Sequence, residues 1–250
     1  MLLRHRANRV LFSWLAICAL SAAQSSDHPK LAEELYKNIE VLKGQPASSV
    51  QPTMESITRQ IGVDCKYCHV DKNWASEDNK MKQDSRMMFR MTSFIDHEIF
   101  EDKPRVTCWT CHRGRAKTEH SPVPKEKPPQ LIMAEKFITL TPDEEKLPAE
   151  QVFKNIQILN GVPAGKLPFI MSFFARSLGV SCDFCHEVPF SSDAKAPKHM
   201  ARIMLGKLVR GTAKNFYNGE TPVECWTCHR GHNKPPVGTG EEAASEEPTL

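Results

Sequence analysis

The sequence lacks most of what would mark an ordinary soluble enzyme. Its 250 residues contain only 12 Gly, with no Walker-type phosphate loop among them, so a nucleotide-binding fold has no support. No run reaches the roughly 18 consecutive apolar residues of a spanning helix, which argues against an integral membrane protein. Tyr is scarce at 3, and hydrophobic residues make up 40%, slightly thin for a large core. An excess of one charge is also missing. The formal net charge of +3 rests on Arg4, Arg6 and Arg9 near the N-terminus, and without them the bases match the 30 acids. Such a neutral chain weakens any nucleic-acid reading. What the sequence does hold is 9 Cys, 10 His and 10 Met.

Residues 1–23 read as a secretory signal peptide. Arg4, Arg6 and Arg9 form a basic region, Val10 to Leu20 an apolar stretch, and Ser21-Ala22-Ala23 a small-residue cleavage site. The stretch is too short for a membrane anchor. Cys18 raises the option of a lipid-modified cysteine, although Ile17 before it is a poor fit to a lipobox. The rest of the chain is therefore expected in an exported compartment, the periplasm or the outer face of the inner membrane.

A repeat organises what remains. Lys37-Asn38-Ile39 recurs as Lys154-Asn155-Ile156, Gly62-Val63 as Gly179-Val180, and Cys108-Trp109-Thr110-Cys111-His112-Arg113-Gly114 as Cys225-Trp226-Thr227-Cys228-His229-Arg230-Gly231, each at an offset of 117. Two copies of one unit are expected, at 31–115 and 148–232. Between them lies a Pro-rich linker and connector, 116–147, with Ser121 to Gln130 semi-extended. The tail 233–250 reads as disordered.

Each unit carries two Cys-x-x-Cys-His motifs, beginning at Cys65, Cys108, Cys182 and Cys225. This is the c-type haem attachment signature. Two thiols three residues apart add across the two vinyl groups of one porphyrin, and the next residue offers its imidazole to the iron. The pairs Cys65 and Cys68, Cys108 and Cys111, Cys182 and Cys185, and Cys225 and Cys228 would hold four covalent haem c groups. His69, His112, His186 and His229 would be the proximal ligands. A disulfide framework gives no reason for a His after every second Cys. Zinc pairs would sit about 15–20 residues apart, whereas Cys68 and Cys108 are 40 apart. Four macrocycles would supply much of the core, and folding should depend on them.

Distal ligands are expected from methionine. Of the histidines outside the motifs, His28, His97, His120, His199 and His232 occupy no matched positions in the two units. Met54 and Met171 each lie 11 residues before a motif and ahead of Gly62 and Gly179, which read as helix stops. A Met-bearing helix followed by a Gly break folds the thioether back over the haem. For the second haem of each unit, Ser85-Arg86-Met87-Met88 parallels Ala201-Arg202-Ile203-Met204. Keeping the Arg two residues before the ligand selects Met88 with Met204, while the strict offset selects Met87. Thioether ligation raises a haem potential relative to a second imidazole.

The duplicated Met-helix, Gly-turn, Cys-x-x-Cys-His unit resembles the tetrahaem cytochrome subunit of photosynthetic reaction centres. Asn73-Trp74-Ala75-Ser76-Glu77, Ser85-Arg86-Met87-Met88 and Val106-Thr107-Cys108-Trp109-Thr110-Cys111-His112-Arg113-Gly114 carry the resemblance. It implies a mainly α fold of two pseudosymmetric dihaem repeats with little or no sheet and a roughly linear haem row. It also implies a role in re-reducing the photo-oxidised special pair, with reaction-centre membrane subunits as partners and Met54, Met88 and Met171 in the family's methionine positions. The chain departs from the best-known members, whose fourth haem has a distal His late in the first repeat. His97 lies nearest that place but too close to Met88, and Met204 offers a fourth methionine instead. A carrier for a respiratory or extracellular electron-transfer chain is the alternative; a haem enzyme with one open iron site is the third reading. Neither small-molecule substrate nor nucleic acid is expected as a partner.

Helical periodicity is read over Leu31–Lys43, Ser49–Ile61, Gln83–Ile95, Lys166–Leu178 and Lys198–Val209, with a short strand pairing considered near Phe137–Leu140. Trp109 and Trp226 are read as packing beside the porphyrins.

Overall fold

The computed structural model describes residues 28–236. The proposed signal peptide, Cys18 and most of the tail lie outside them. The described chain is mainly helical, and its only extended pairings are isolated backbone bridges.

Each repeat opens on a short tied loop. In the first, α1 (Ala32–Leu35) is followed by turns that return to an antiparallel bridge between Leu31 and Pro46. The Gly44 amide donates to the Glu33 carboxylate at 2.9 Å. In the second repeat α6 (Ala149–Val152) takes the place of α1, Pro148 bridges Pro163, and the Gly161 amide donates to Glu150 at 2.8 Å. The helix expected over Leu31–Lys43 is thus one turn only. Its apolar residues belong to a loop that turns through Asn38, held at φ 63°. Leu42 packs with Ala32 and Val50 beneath it.

Then comes the methionine helix, α2 (Val50–Ile61), equivalent to α7 (Leu167–Leu178) in the second repeat. Val50, Met54, Ile57 and Ile61 recur at helical spacing on one face of α2, while Gln51, Glu55 and Arg59 are exposed on the other. Apolar residues run almost all round α7, because α5 (Pro129–Phe137) lies against it. The connector therefore holds a helix, started by Pro128 and Pro129, after a non-helical segment that bends at Lys125 and Glu126. No pairing forms at 138–140; Phe137 instead ends α5 and packs edge-on against Phe190, centroids 5.2 Å apart.

Both methionine helices stop at a left-handed glycine, Gly62 at φ 66° and Gly179 at φ 65°. Conformation is only half the reason for glycine. A Cβ on Gly62 would fall 2.0 Å from the Gly114 carbonyl oxygen, and one on Gly179 would fall 1.9 Å from that of Gly231. The Gly114 amide donates to the Gln60 carbonyl at 2.8 Å, as the Gly231 amide does to Ser177 at 2.8 Å. The end of each methionine helix is thereby locked to the end of the second Cys-x-x-Cys-His helix of its repeat, α4 (Cys108–His112) or α11 (Cys225–His229).

The first motif of each repeat sits on a single turn, a 3₁₀ turn at Cys65–Tyr67 and α8 at Cys182–Cys185. A long helix follows. In the first repeat it is α3 (Lys80–Phe100), started by Asn79, whose side chain accepts from the Met81 amide at 3.0 Å. Its counterpart is α9 (Ala196–Ile203), a π-helical segment Met204–Val209, and α10 (Arg210–Phe216). Both run further than the periodicity indicated. Met91 and Ile95 of α3 and Val223 make the central cluster, with Met88, Phe94, Phe100, Leu208, Phe216 and Tyr217 against it.

The polypeptide buries little apolar bulk of its own. Its largest fully buried side chains are Thr212, Thr227 and Ser177, while Trp74 is 58% exposed and Phe137 56%. A chain of this length ordinarily closes on buried Leu, Ile and Phe.

Candidate haem-binding site

The four motif histidines share one arrangement. His69 Nδ1 meets the Trp74 carbonyl at 3.2 Å, His112 that of Arg115 at 3.0 Å, His186 that of Phe190 at 3.4 Å, and His229 that of His232 at 2.8 Å. A carbonyl only accepts, so each Nδ1 carries a proton, which in a neutral ring leaves the lone pair on Nε2. Burial pushes the pKa of His112, His186 and His229 down, favouring neutral imidazole. None of the eight motif cysteines is paired in a disulfide. Burial pushes Cys108 up and Cys225 up to about 11.

The helices of the second motifs are capped alike. The Thr107 amide donates to Thr110 Oγ1 at 3.1 Å, and the Glu224 amide to Thr227 Oγ1 at 3.1 Å. The threonine inside Cys-Trp-Thr-Cys-His thus holds the turn that carries the thiols, and both threonines are buried. The Trp109 amide donates to Gln60 Oε1 at 2.9 Å, and its indole ring flanks Gly114.

These two motifs meet at the centre of the molecule. Cys111 Sγ and Cys228 Sγ lie 3.2 Å apart. Arg113 donates to the Cys228 carbonyl and Arg230 to the Cys111 carbonyl, both at 2.8 Å. The contacts are reciprocal, as a local twofold requires.

Sequence reasoning missed a second set of groups, behind the first motif of each repeat. Lys82 Nζ donates at 2.9 Å to the carbonyls of Trp74 and Ser76, so the Trp74 oxygen serves both Lys82 and His69. Lys198 does the same at 3.0 Å to Phe190 and 2.6 Å to Ser192. Arg86 donates to the Asn38 carbonyl at 3.0 Å and pairs with Glu77 at 2.7 Å; Arg202 donates to the Asn155 carbonyl at 3.1 Å and pairs with Asp193 at 2.9 Å. These near-buried cations are therefore compensated rather than orphaned. The Arg86 guanidinium lowers the Glu77 carboxyl to about 2, with Lys82 and Asn38 helping. Hydrogen bonds from Asn155, Lys198 and Arg202 lower Asp193 to about 2. A Lys-x-x-x-Arg spacing in both repeats, at an offset of 116, was the available signal for Lys82 and Lys198.

That slip fixes the register of the candidate distal ligands. The segment between His186 and Phe190 is one residue shorter than that between His69 and Trp74. The π-helical segment restores the residue, since Asp102 N to Asp96 O and Gly219 N to Ala213 O again differ by 117. Met204 opens this segment, on the Arg202 side, and so corresponds to Met88. Met54, Met88, Met171 and Met204 are all half-buried, as is Met87. Met54 packs against the Leu42–Val50 cluster and Met88 against Met91 and Ile95. His97 is exposed and bound to Asp102 at 2.9 Å, which raises its pKa.

The residues fit a large, apolar, acid-bearing group. Arg113, Arg176 and Arg230 each bury a side-chain Nε with no acceptor in the protein. Haem propionates supply acceptors of that kind, and a porphyrin supplies the apolar bulk that the chain lacks. Thiol pairs on one turn, each followed by an Nδ1-tethered histidine, define a c-type cytochrome, with haem held covalently.

Comparison with known sequences specifies the class. The family described as photosynthetic reaction centre cytochrome C subunit matches twice, over residues 13–131 and 123–244, and the chain belongs to it. It is 30% identical over 262 residues to the photosynthetic reaction center cytochrome c subunit of Thermochromatium tepidum, an alignment covering 88% of this chain and 64% of that protein. It is 27% identical over 252 residues to that of Rubrivivax gelatinosus, covering 83% of this chain and 69% of the relative. A shorter match, 31% identity over 83 residues, is to cytochrome c-554 of Chloroflexus aurantiacus, covering 31% of this chain and 20% of that protein. The chain thus spans just under two thirds of the first relative's length. Among the described residues no helix is long and apolar enough to cross a membrane.

Proposed function

We propose that the chain is an exported tetrahaem cytochrome c, without catalytic activity of its own, that relays electrons to the photo-oxidised special pair of a reaction centre. Bound haem supplies the one-electron ferric–ferrous couple. Cys65 and Cys68, Cys108 and Cys111, Cys182 and Cys185, and Cys225 and Cys228 would hold the four groups covalently. The free Nε2 atoms of His69, His112, His186 and His229 would face iron on one side, and Met54, Met88, Met171 and Met204 on the other. Met88 is preferred to Met87 because the paired contacts of Arg86 and Arg202 set its register with Met204.

The observation carrying this reading is the fourfold Nδ1-to-carbonyl tether. It supports four imidazoles as ligands rather than as acids or bases. The Cys111–Cys228 contact supports a reading in which the second and fourth haems would be neighbours. That arrangement suits an elongated relay. Membership of the reaction-centre family supports the special pair as acceptor and reaction-centre subunits as docking partners, and the signal peptide read at residues 1–23 supports a periplasmic location at the membrane's outer face.

Flash excitation of membranes from the source organism tests the role. Haem oxidation should follow special-pair oxidation and disappear when the gene is deleted. Special-pair re-reduction unaffected by the deletion would leave a carrier serving another exported electron-transfer chain.

A further inference from the structure

Tyr217 makes a hydrogen bond from the second repeat to a candidate iron ligand of the first. Its hydroxyl donates to Met88 Sδ at 3.8 Å, across 129 residues of sequence. Donor geometry to sulfur is long because thioether lone pairs are diffuse. The ring is held from behind. Its amide donates to the Ala213 carbonyl at 3.1 Å, and its carbonyl accepts from the Glu220 amide at 2.9 Å. The body of the side chain packs against Met91, Ile95 and Val223.

The position equivalent to Tyr217 in the first repeat is Phe100. The Lys103 amide donates to the Phe100 carbonyl at 3.0 Å, as Glu220 does to Tyr217. Both rings pack into the same central cluster. Phe100 has no hydroxyl, so the twofold is broken here by one oxygen atom.

We propose that Tyr217 is a positioning residue that sets the potential of the Met88-bound haem from the opposite repeat, making the two central haems unequal. The proposal rests on Met88 being a distal ligand. A thioether sulfur has two lone pairs. With one directed at iron, the other accepts the Tyr217 proton, draws density from the sulfur and weakens its donation to ferric iron more than to ferrous. The reduced state gains, and the potential rises. The hydroxyl also fixes the sulfur's orientation in a cluster whose other members near it are apolar.

The test is Tyr217→Phe in the haem-loaded protein, with redox titration followed optically and by low-temperature EPR. One midpoint of four should fall, with a shift in one sulfur-to-iron charge-transfer band and an unchanged haem count. Met88→His separates the proposal from its premise. It should convert one haem to a bis-imidazole signature, and adding Tyr217→Phe should then move no midpoint further. If Met88→His alters no haem, the ligand assignment fails. If it alters one haem while Tyr217→Phe moves none, or moves one equally with His at 88, the hydroxyl does not act through the sulfur and the proposal is overturned.

Discussion

Gly62 and Gly114 touch so closely that neither the space nor the backbone at Gly62 admits a side chain. A Cβ would stand 2.0 Å from the Gly114 carbonyl oxygen, on a backbone at φ 66°. The contact joins the methionine helix to the second attachment motif. Gly62→Ala should therefore cost about 1 kcal/mol from the left-handed backbone and about 1–3 kcal/mol more from overpacking. Gly44→Ala is the control, at φ 78° with nothing within 4 Å of its Cβ. It should show only the backbone cost of about 1 kcal/mol. Denaturant unfolding of the two holoproteins measures the gap.

Acid should weaken both repeats at the same kind of cluster. Glu77 and Asp193 are each held at about 2 in the folded protein, against ordinary values of 4.5 and 3.8. Between those limits the unfolded chain binds more protons, so stability is full above the ordinary values and falls as pH drops through them toward 2. Glu77→Gln and Asp193→Asn should each flatten the dependence of unfolding midpoint on pH between about 5 and 2, and lower stability at pH 7. Both carboxylates are partly solvent-accessible, so added salt should reduce the effect.

Replacing the candidate distal ligands one at a time should act on one haem each. Met54→Ala, Met171→Ala and Met204→Ala should each remove one sulfur-to-iron charge-transfer contribution and lower one midpoint. Met87→Ala should leave all four unchanged. A redox titration in which Met87, rather than Met88, moves a midpoint would reverse that assignment.

Lys82 and Lys198 lend themselves to a milder test. Each shares a carbonyl with a motif histidine. Lys82→Met frees the Trp74 oxygen to accept more strongly from His69, which makes that imidazole a better donor to ferric iron. The expected outcome is a fall in one midpoint only, read in the same titration.

Much of this was legible in the residues because covalent chemistry is written in spacing. Four Cys-x-x-Cys-His motifs and the 117-residue offset announced the cofactor class and the duplicated fold. Gly62 and Gly179 marked helix ends because only glycine fits there. What stayed hidden depended on contacts between distant segments. The loop at Leu31–Lys43 looked helical because its apolar residues fill the gap beneath α2, not because they share a helix face. The helix α5 was masked by its prolines, which start it rather than prevent it. The pairing of Met88 with Met204 was visible only through Arg86 and Arg202. One residue lost after His186 and regained in the π-helical turn defeats any fixed offset. Tyr217 gave no signal at all, since its partner lies in the other repeat.

The proposed relay depends on four haems bound through thioethers at these four motifs. Intact mass and a pyridine haemochrome assay on protein exported from a host competent for cytochrome maturation test it together. Four haems per chain should survive acid–acetone extraction, with three left when Cys108 and Cys111 are both replaced by Ala. Colourless protein, or haem that extracts freely, would contradict it.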